Sequence, residues 1–125
     1  MLLLSKAEIL RGENQIDRLY KSGKRISTPP LLIIKTETEK TDEHPVKAAF
    51  VIPKRNFRKA TQRNRLRRQL KEAWRLNKQP LIDVMKVKNK TLQLLLIYSG
   101  KTPVSFSELE QKIVILLHRL IREHA

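Results

Sequence analysis

Apolar residues recur along this chain at intervals of three and four, and that spacing predicts where the helices lie. It indicates helices over about residues 13 to 22 and about 58 to 77, and a third from Phe106 onward. Ser105 and Glu108 form a capping box at the start of the third helix. Three helices are therefore expected, the last with the most regular apolar stripe.

Continuous or alternating apolar runs predict the strands. Leu31 to Thr38 and Val46 to Ile52 are expected to pair as a hairpin across the polar loop Glu39 to Pro45. Pro53 ends the second strand, because proline has no N–H to give to a ladder. Thr91 to Tyr98 is apolar at both alternating positions, as in a strand covered on both faces.

The order of these elements indicates the fold class. Residues 81 to 89 fit either a short helix or a covering loop. The remaining order is helix, strands, helix, strand, helix, with no internal repeat and no linker. One α+β domain over residues 1 to 125 is therefore predicted.

Positive charge dominates the composition. There are 27 Lys and Arg against 12 Asp and Glu, a net charge of +15, which would concentrate the chain on a phosphate polymer or an anionic membrane surface. No apolar run approaches the roughly 20 residues of a membrane span, and the Leu2 to Leu4 start is too short for a signal peptide. Cysteine is absent, which removes disulfides, thiolate nucleophiles and cysteine zinc sites. We therefore expect a cytoplasmic protein.

The charge is concentrated between Lys54 and Arg75, where ten basic residues stand against one acid. On a helical wheel Leu66, Leu70 and Ala73 share one face. The opposite face carries Arg67, Lys71, Asn64, Arg75, Arg68 and Arg65, interrupted by Glu72. Like charges four residues apart cost an isolated helix a few tenths of a kcal/mol per pair, and a face kept for solubility usually carries both signs. The pattern predicts contact with a polyphosphate, and nucleic acid above all.

Groups that could perform catalysis are scarce. The three histidines are not spaced as metal ligands; they are His44, His118 and His124. The acids around the polar loop fit a solvated turn; they are Glu37, Glu39, Asp42 and Glu43. Three glycines form no phosphate-cradling loop. The sequence therefore favours a binding subunit over a self-sufficient enzyme.

The motif Arg63, Asn64, Arg65, Leu66, Arg67 and Arg68, after Lys54 and Arg55, resembles the arginine-asparagine-arginine motif of the bacterial ribonuclease P protein component. Residues 4 to 12 and 20 to 24 also resemble that family, so the resemblance covers essentially the whole chain. It implies the ribonuclease P protein fold, similar to a ribosomal-protein domain, with the order α-β-β(-β)-α-β-α. It further implies a left-handed βαβ crossover, an exception to the usual right hand.

The resemblance implies a function in tRNA maturation. Members of the family work with a catalytic RNA that hydrolyses one phosphodiester bond and so removes the 5′ leader of precursor tRNA. The implied partners are ribonuclease P RNA and precursor tRNA, with no membrane and no obligate protein partner. Mg²⁺ is implied mainly on the RNA, and no catalytic residue or metal site is expected on the protein.

Two sets of binding residues follow from the resemblance. The set implied to face the RNA subunit is Lys54, Arg55, Arg58, Arg63, Asn64, Arg65, Arg67, Arg68 and Lys71. The set implied for a leader-binding cleft between the first helix and the sheet is Ile16, Tyr20 and Ile34. Other members often carry aromatics where Ile16 and Ile34 stand, so these two are either leader contacts or core residues. Phe57 and Trp74 are expected to pack between the basic helix and the sheet.

Two other function classes fit part of the pattern. A ribosomal protein or general RNA chaperone would share the basic α+β composition. A DNA-binding regulator could place the basic helix in a major groove, but it usually needs a helix-turn-helix pair, whereas a strand ending at Pro53 precedes this helix.

Overall fold

The computed structural model describes residue 10 and residues 13–40 and 43–125. The helices are α1 (Glu13–Ser22), α2 (Ala60–Asn77), α3 (Gln79–Lys88) and α4 (Phe106–His124). The strands are β1 (Lys24–Thr28), β2 (Leu31–Glu39), β3 (Val46–Val51) and β4 (Lys90–Tyr98). The family-like opening at residues 4 to 12, apart from Leu10, lies outside the described residues, and so does Asp42.

The four strands form one mixed sheet in the order β1-β2-β4-β3. β1 and β2 are an antiparallel hairpin across the cis Pro29–Pro30 bond, β2 and β4 are antiparallel, and β3 and β4 are parallel. The predicted pairing of β2 with β3 is therefore wrong, because β4 lies between them. β4 is apolar on both faces, and the central position gives it a neighbour on each side as well as cover above and below.

Two helices, α2 and α3, connect the parallel strands β3 and β4. The open assignment of residues 81 to 89 is thus resolved largely as the helix α3. It ends at Lys88 and is capped by Asn89, which has a left-handed φ of 59° and donates its backbone N–H to the carbonyl of Met85 at 3.0 Å. The left hand of this crossover stays a prediction from the resemblance.

The helices cover the two faces of the sheet unequally. The main core lies between one face and α2, α3 and α4, and it includes Phe57 and Trp74, which confirms their predicted packing role. On the other face α1 packs Leu19 over Ile34 and Leu95 of the sheet. The shorter helix leaves part of this second face uncovered.

The C-terminal turn of α4 is fixed to β2 by a chain of charged groups. Lys35, buried beneath α4, bonds Glu123 through its Nζ, which also lies 2.8 Å from Nε2 of His124. His124 Nδ1 lies 3.0 Å from Oε1 of Glu37, and Lys88 donates to the same oxygen at 2.6 Å. Glu37 is therefore a paired residue of β2. The prediction from the sequence that it belongs to a solvated turn is wrong.

Candidate nucleic-acid interface

Helix α2 separates its apolar and cationic residues as predicted. Leu66, Leu70, Ala73 and Trp74 are buried. On the outer side a shallow depression of about 490 Å³, here called the basic face, is lined by Thr61, Asn64, Arg67, Arg68 and Lys71. Arg67 donates to Oδ1 of Asn64 at 3.1 Å, which holds part of this surface in place. None of the five lining residues is acidic, so the surface suits a phosphate backbone.

The acid of this helix is paired with an arginine outside the basic face. Arg75 donates from Nε and Nη2 to the two carboxylate oxygens of Glu72, at 2.9 and 2.6 Å. These hydrogen bonds hold the pKa of Glu72 below its ordinary value. Arg75 was predicted on the cationic side, and Glu72 offsets its charge there.

Arg63 has a structural role that the motif did not reveal. Its Nη1 donates to the backbone carbonyls of Phe57 at 2.9 Å and Arg58 at 2.8 Å, in the turn before α2. The helix begins at Ala60 and not at Arg58, and its first residues have no side-chain cap. Arg63 lies three residues before the buried Leu66, about 60° from it on the wheel, and this position was a signal that it faces inward.

The uncovered part of the sheet forms a groove of about 580 Å³, here called the sheet groove. It is lined by Tyr20, Arg25, Leu32, Ile34, Val51, Pro53, Lys54, Arg55, Asn56, Ile97 and Ser99. Tyr20 stands at its rim with 40% of its surface exposed, and Arg25 donates to the Tyr20 carbonyl at 2.9 Å. The groove combines an apolar floor with a cationic edge.

The three residues predicted for a leader cleft occupy different depths. Tyr20 offers its ring to solvent, whereas Ile34 is fully buried and forms the floor beneath the groove. Ile16 is half-buried on α1 and packs against the apolar cluster that contains Leu19. In the unbound chain Ile34 is packed in the core and Ile16 against it, and a leader contact by either residue stays a prediction.

Lys54 and Arg55 lie in the sheet groove, although the resemblance grouped them with the RNA-subunit face. They belong to a turn in which the backbone N–H groups of Asn56 and Phe57 both donate to the Pro53 carbonyl, at 3.2 and 3.3 Å. The same turn supplies a carbonyl that accepts from Arg63 of α2. Residues 53–57 therefore join the sheet groove to the basic helix.

A third depression, here called the side pocket, lies between α2 and the segment before α4. It has a volume of about 250 Å³ and is lined by Phe57, Gln62, Arg65, Leu66, Gln69, Pro103 and Val104. Arg65 thus borders a different cavity from that of Arg67 and Arg68. The sequence offered no signal for this pocket, because its walls come from segments about 40 residues apart.

Tyr98 supports the side pocket from below. Its ring meets Phe57 edge to face with centroids 5.6 Å apart, and its hydroxyl donates to the Thr102 carbonyl at 2.7 Å. Burial raises the pKa of the Tyr98 phenol, so at neutral pH it stays protonated and keeps its role as a donor. The floor and the far wall of the pocket are therefore tied together.

Membrane insertion and metal binding would each need a particular arrangement of the described residues. None of their helices is both long and apolar enough to cross a membrane. Within the same part of the chain, no three His, Asp or Glu side chains come together in a group that could hold a metal ion.

Comparison with known proteins identifies the family. The family model described as Ribonuclease P matches residues 4–121. The ribonuclease P protein component of Chlorobium phaeobacteroides is 35% identical over 127 residues, which span 94% of this chain and 87% of that protein. A second relative with the same name, from Chlorobaculum tepidum, is 35% identical over 78 residues, or 60% of this chain and 51% of that protein.

Solved structures agree on the fold. The RNase P protein of Staphylococcus aureus superposes with a TM-score of 0.71 at 13% identity, over 93% of this chain and 99% of that one. The RNase P protein of Thermotoga maritima superposes with a TM-score of 0.69 at 24% identity, over 90% of this chain and 96% of that one. The matched α+β fold and the match over nearly the whole sequence lead to one conclusion: the chain belongs to the ribonuclease P protein family.

Proposed function

We propose that this chain, as a ribonuclease P protein subunit, binds the catalytic RNA through the basic face and the 5′ leader of precursor tRNA through the sheet groove. The observation that carries the proposal is the contiguity of the two surfaces. In the turn at residues 53–57, Lys54 and Arg55 line the sheet groove, and Arg63 of α2 donates a hydrogen bond to the Phe57 carbonyl. One rigid turn can therefore relate the position of the substrate to that of the RNA subunit.

The basic face is suited to a folded RNA. Arg67, Arg68 and Lys71 present cations from successive turns of one helix, so they can follow a phosphate backbone. Each phosphate that they neutralise releases counterions, which makes binding weaken as salt rises. The other residues proposed for this contact are Arg58, Asn64 and Arg65. Lys54 and Arg55 are proposed to contact the leader instead, and Arg63 holds the turn before α2.

The sheet groove is suited to a single strand. Its apolar floor, formed by Leu32, Val51 and Ile97, can receive unpaired bases, and the exposed ring of Tyr20 can stack on one of them. Lys54 and Arg55 then lie where they can meet the phosphates of the same strand. A duplex would have its bases already stacked and paired, so the groove favours the unpaired leader over the tRNA body.

The hydrolysis and the Mg²⁺ ions that support it are assigned to the RNA subunit. We assign no bond-breaking or proton-transfer step to a side chain of this protein. Its contribution is electrostatic, because catalytic RNA and precursor tRNA are both polyanions that repel each other. A chain with a net charge of +15 bound between them lowers this repulsion and so reduces the Mg²⁺ that the reaction needs. We expect this activity in the cytoplasm, without an obligate protein partner.

The experiment is a leader-cleavage assay at near-physiological Mg²⁺ with a bacterial ribonuclease P RNA, with and without the protein, and with the protein alone. Cleavage in the mixture and in neither component would support the proposal. No stimulation of an RNA that is active at high Mg²⁺, with the protein shown to be folded, would refute it in favour of a ribosomal or chaperone role.

Charge-matched variants separate the basic face from net charge. Arg67→Ala/Arg68→Ala should require more protein for the same cleavage rate. Lys86→Ala/Arg122→Ala removes the same charge from exposed positions on α3 and α4, outside both surfaces, and should behave like the parent chain. Equal losses in the two variants would mean that net charge alone accounts for stimulation.

A further inference from the structure

The side pocket adjoins the basic face, and neither of the contacts proposed above uses its floor. We propose that it accepts one unstacked nucleobase of the RNA subunit, an inference that rests on the proposed function. This contact would read a base, whereas the basic face reads phosphates, so it would contribute sequence or shape specificity that cations alone do not supply.

The dimensions and the floor of the pocket suit a single planar group. Its volume of about 250 Å³ lies below the roughly 300–1,000 Å³ of sites for drug-sized ligands. Phe57 and Leu66 form an apolar floor, each with 3% of its surface exposed. Pro103 and Val104 provide the wall from the segment before α4, so a flat ring would meet carbon atoms from two segments of the chain.

The polar groups of the pocket match the edge of a base. Gln62 and Gln69 each carry an amide, which offers two donors and an acceptor, the combination that base edges require. Arg65 is exposed beside them, and its planar guanidinium can stack on a base or bond its acceptor atoms. No acid lines the pocket, so nothing there repels the phosphate attached to the base.

The walls of the pocket are held in place before any RNA binds. Tyr98 touches Phe57 of the floor and bonds the carbonyl of Thr102, the residue before the far wall. A preformed slot spends less of its binding free energy on ordering side chains than a flexible surface does. These two contacts of Tyr98 distinguish the side pocket from a chance gap between mobile surface side chains.

The position of the pocket says what would occupy it. Arg65 at its rim and Arg68 on the basic face lie three residues apart, which is about 60° around the helix and about 4.5 Å along it. An RNA strand whose phosphates cross the basic face would therefore bring a neighbouring base to the mouth of the pocket. The occupant is accordingly a nucleotide of the bound RNA, not a free metabolite.

The first test compares RNA-subunit affinity across salt concentrations. Gln62→Ala/Gln69→Ala should weaken binding roughly 10-fold, the order expected for one base contact, and should leave the slope of log K against log salt unchanged because no charge is lost. Gln111→Ala, an exposed glutamine of α4, is the matched control and should leave affinity unchanged. Unchanged affinity in the double variant would overturn the inference.

The second test identifies the nucleotide. Because the chain has no cysteine, Gln69→Cys gives one attachment point for a photo-crosslinker, and it should react with one or a few nucleotides of the RNA subunit. An abasic substitution at the crosslinked position should weaken binding as much as Gln62→Ala/Gln69→Ala does. Combining the two changes should then add little, as in a double-mutant cycle between groups in contact.

The outcomes distinguish this inference from the proposed function. If the unmodified protein does not bind the RNA at all, the proposed function fails. If it binds and stimulates cleavage while the abasic and glutamine changes act additively, only the nucleobase pocket is wrong.

Discussion

Arg63 donates to two carbonyls of the turn before α2, whereas Arg68, on the same helix, is exposed. We predict that Arg63→Ala lowers the free energy of unfolding by about 1 kcal/mol, because the partly buried Phe57 carbonyl and the exposed Arg58 carbonyl lose a charged donor. Urea denaturation measures this change. Arg68→Ala is the control and should stay within about 0.5 kcal/mol of the parent.

In RNA binding the two variants should rank the other way, with a larger loss of affinity for Arg68→Ala than for Arg63→Ala. Arg68→Ala should lower both affinity and its salt dependence, by about one phosphate contact. Arg63→Ala could instead leave stability unchanged and reduce the salt slope as much as Arg68→Ala does. Arg63 would then be a phosphate contact, and its hydrogen bonds to the turn would not be its main role.

Tyr20 is the exposed aromatic residue at the rim of the sheet groove. We predict that Tyr20→Ala weakens binding of the holoenzyme to precursor tRNA roughly 10-fold and leaves mature tRNA binding unchanged, because only the precursor has a leader whose base can stack there. Affinities for the two RNAs, measured side by side, test this. Tyr20→Phe keeps the ring and should bind like the parent, while an equal loss for both RNAs in Tyr20→Ala would exclude a leader contact.

The buried or exposed position of an individual residue could be predicted where the helical period alone determines it. The wheel separated Leu66 and Leu70 from Arg68 and Lys71 correctly, since local geometry fixes which side of a helix a residue occupies. It could not assign Lys54, because the turn at 53–57 is placed by contacts with distant parts of the chain. Its lining of the sheet groove is a tertiary property.

At the scale of elements, the end of α4 contains a titratable contact. Burial lowers the pKa of His124, which lies between Lys35 and Glu37 of β2, with Lys88 of α3 and Glu123 nearby. The unfolded chain, with a histidine pKa of about 6.5, then binds more protons than the folded one just below that pH. We predict that the free energy of unfolding falls as pH drops below about 6.5, down to the lowered pKa of the folded form.

Urea unfolding at pH 7.5 and 5.5 measures this effect. His124→Gln should remove much of the difference between the two pH values, and His118→Gln, an exposed histidine on the same helix, should not. An unchanged difference in His124→Gln would assign it to other groups. Hydrogen bonds from Lys88 and Lys35 lower the pKa values of Glu37 and Glu123, so their contribution is lost in a separate window, below about pH 4.5.

Most elements followed from the sequence, but their pairing did not. Periodicity predicted α1, α2, α4 and the three longer strands, and it left α3 open between a helix and a loop. The predicted Ser105 cap is present, with its hydroxyl accepting from the N–H of Glu108 at 3.2 Å. β2 and β3 are neighbours in sequence and were expected to pair, yet β4 separates them. Short-range pattern carries no information about a strand that arrives 40 residues later.

At the scale of the whole molecule, the net charge of +15 on 125 residues opposes compaction through self-repulsion. We predict that the free energy of unfolding rises between about 10 and 200 mM NaCl, because screening weakens this repulsion. Affinity for RNA should fall over the same range. Thermal unfolding and RNA binding, measured in the same buffers, check the opposite signs, and stability that falls with salt would contradict the prediction.

Family membership could be predicted from the sequence, whereas the geometry of the candidate binding surfaces could not. The motif around Arg63 to Arg68, together with its position, the chain length and the matching segments 4 to 12 and 20 to 24, identified the family, since these features depend on local order along the chain. The side pocket required Gln69 and Pro103 to line one cavity, and the sheet groove required the same of Tyr20 and Arg55. Such arrangements are set by packing of the whole chain and have no local signature.

The strand order also constrains how the protein folds as it is synthesised. β1 and β2 can pair soon after translation, but among the described strands β3 pairs only with β4, whose residues are made about 40 positions later. Until Lys90 to Tyr98 leave the ribosome, the edge of β3 that faces β4 stays unpaired. The apolar residues of β3 also lack the β4 residues that complete the main core. The basic helix, by contrast, emerges earlier, so its cations can meet RNA before the sheet that supports them has closed.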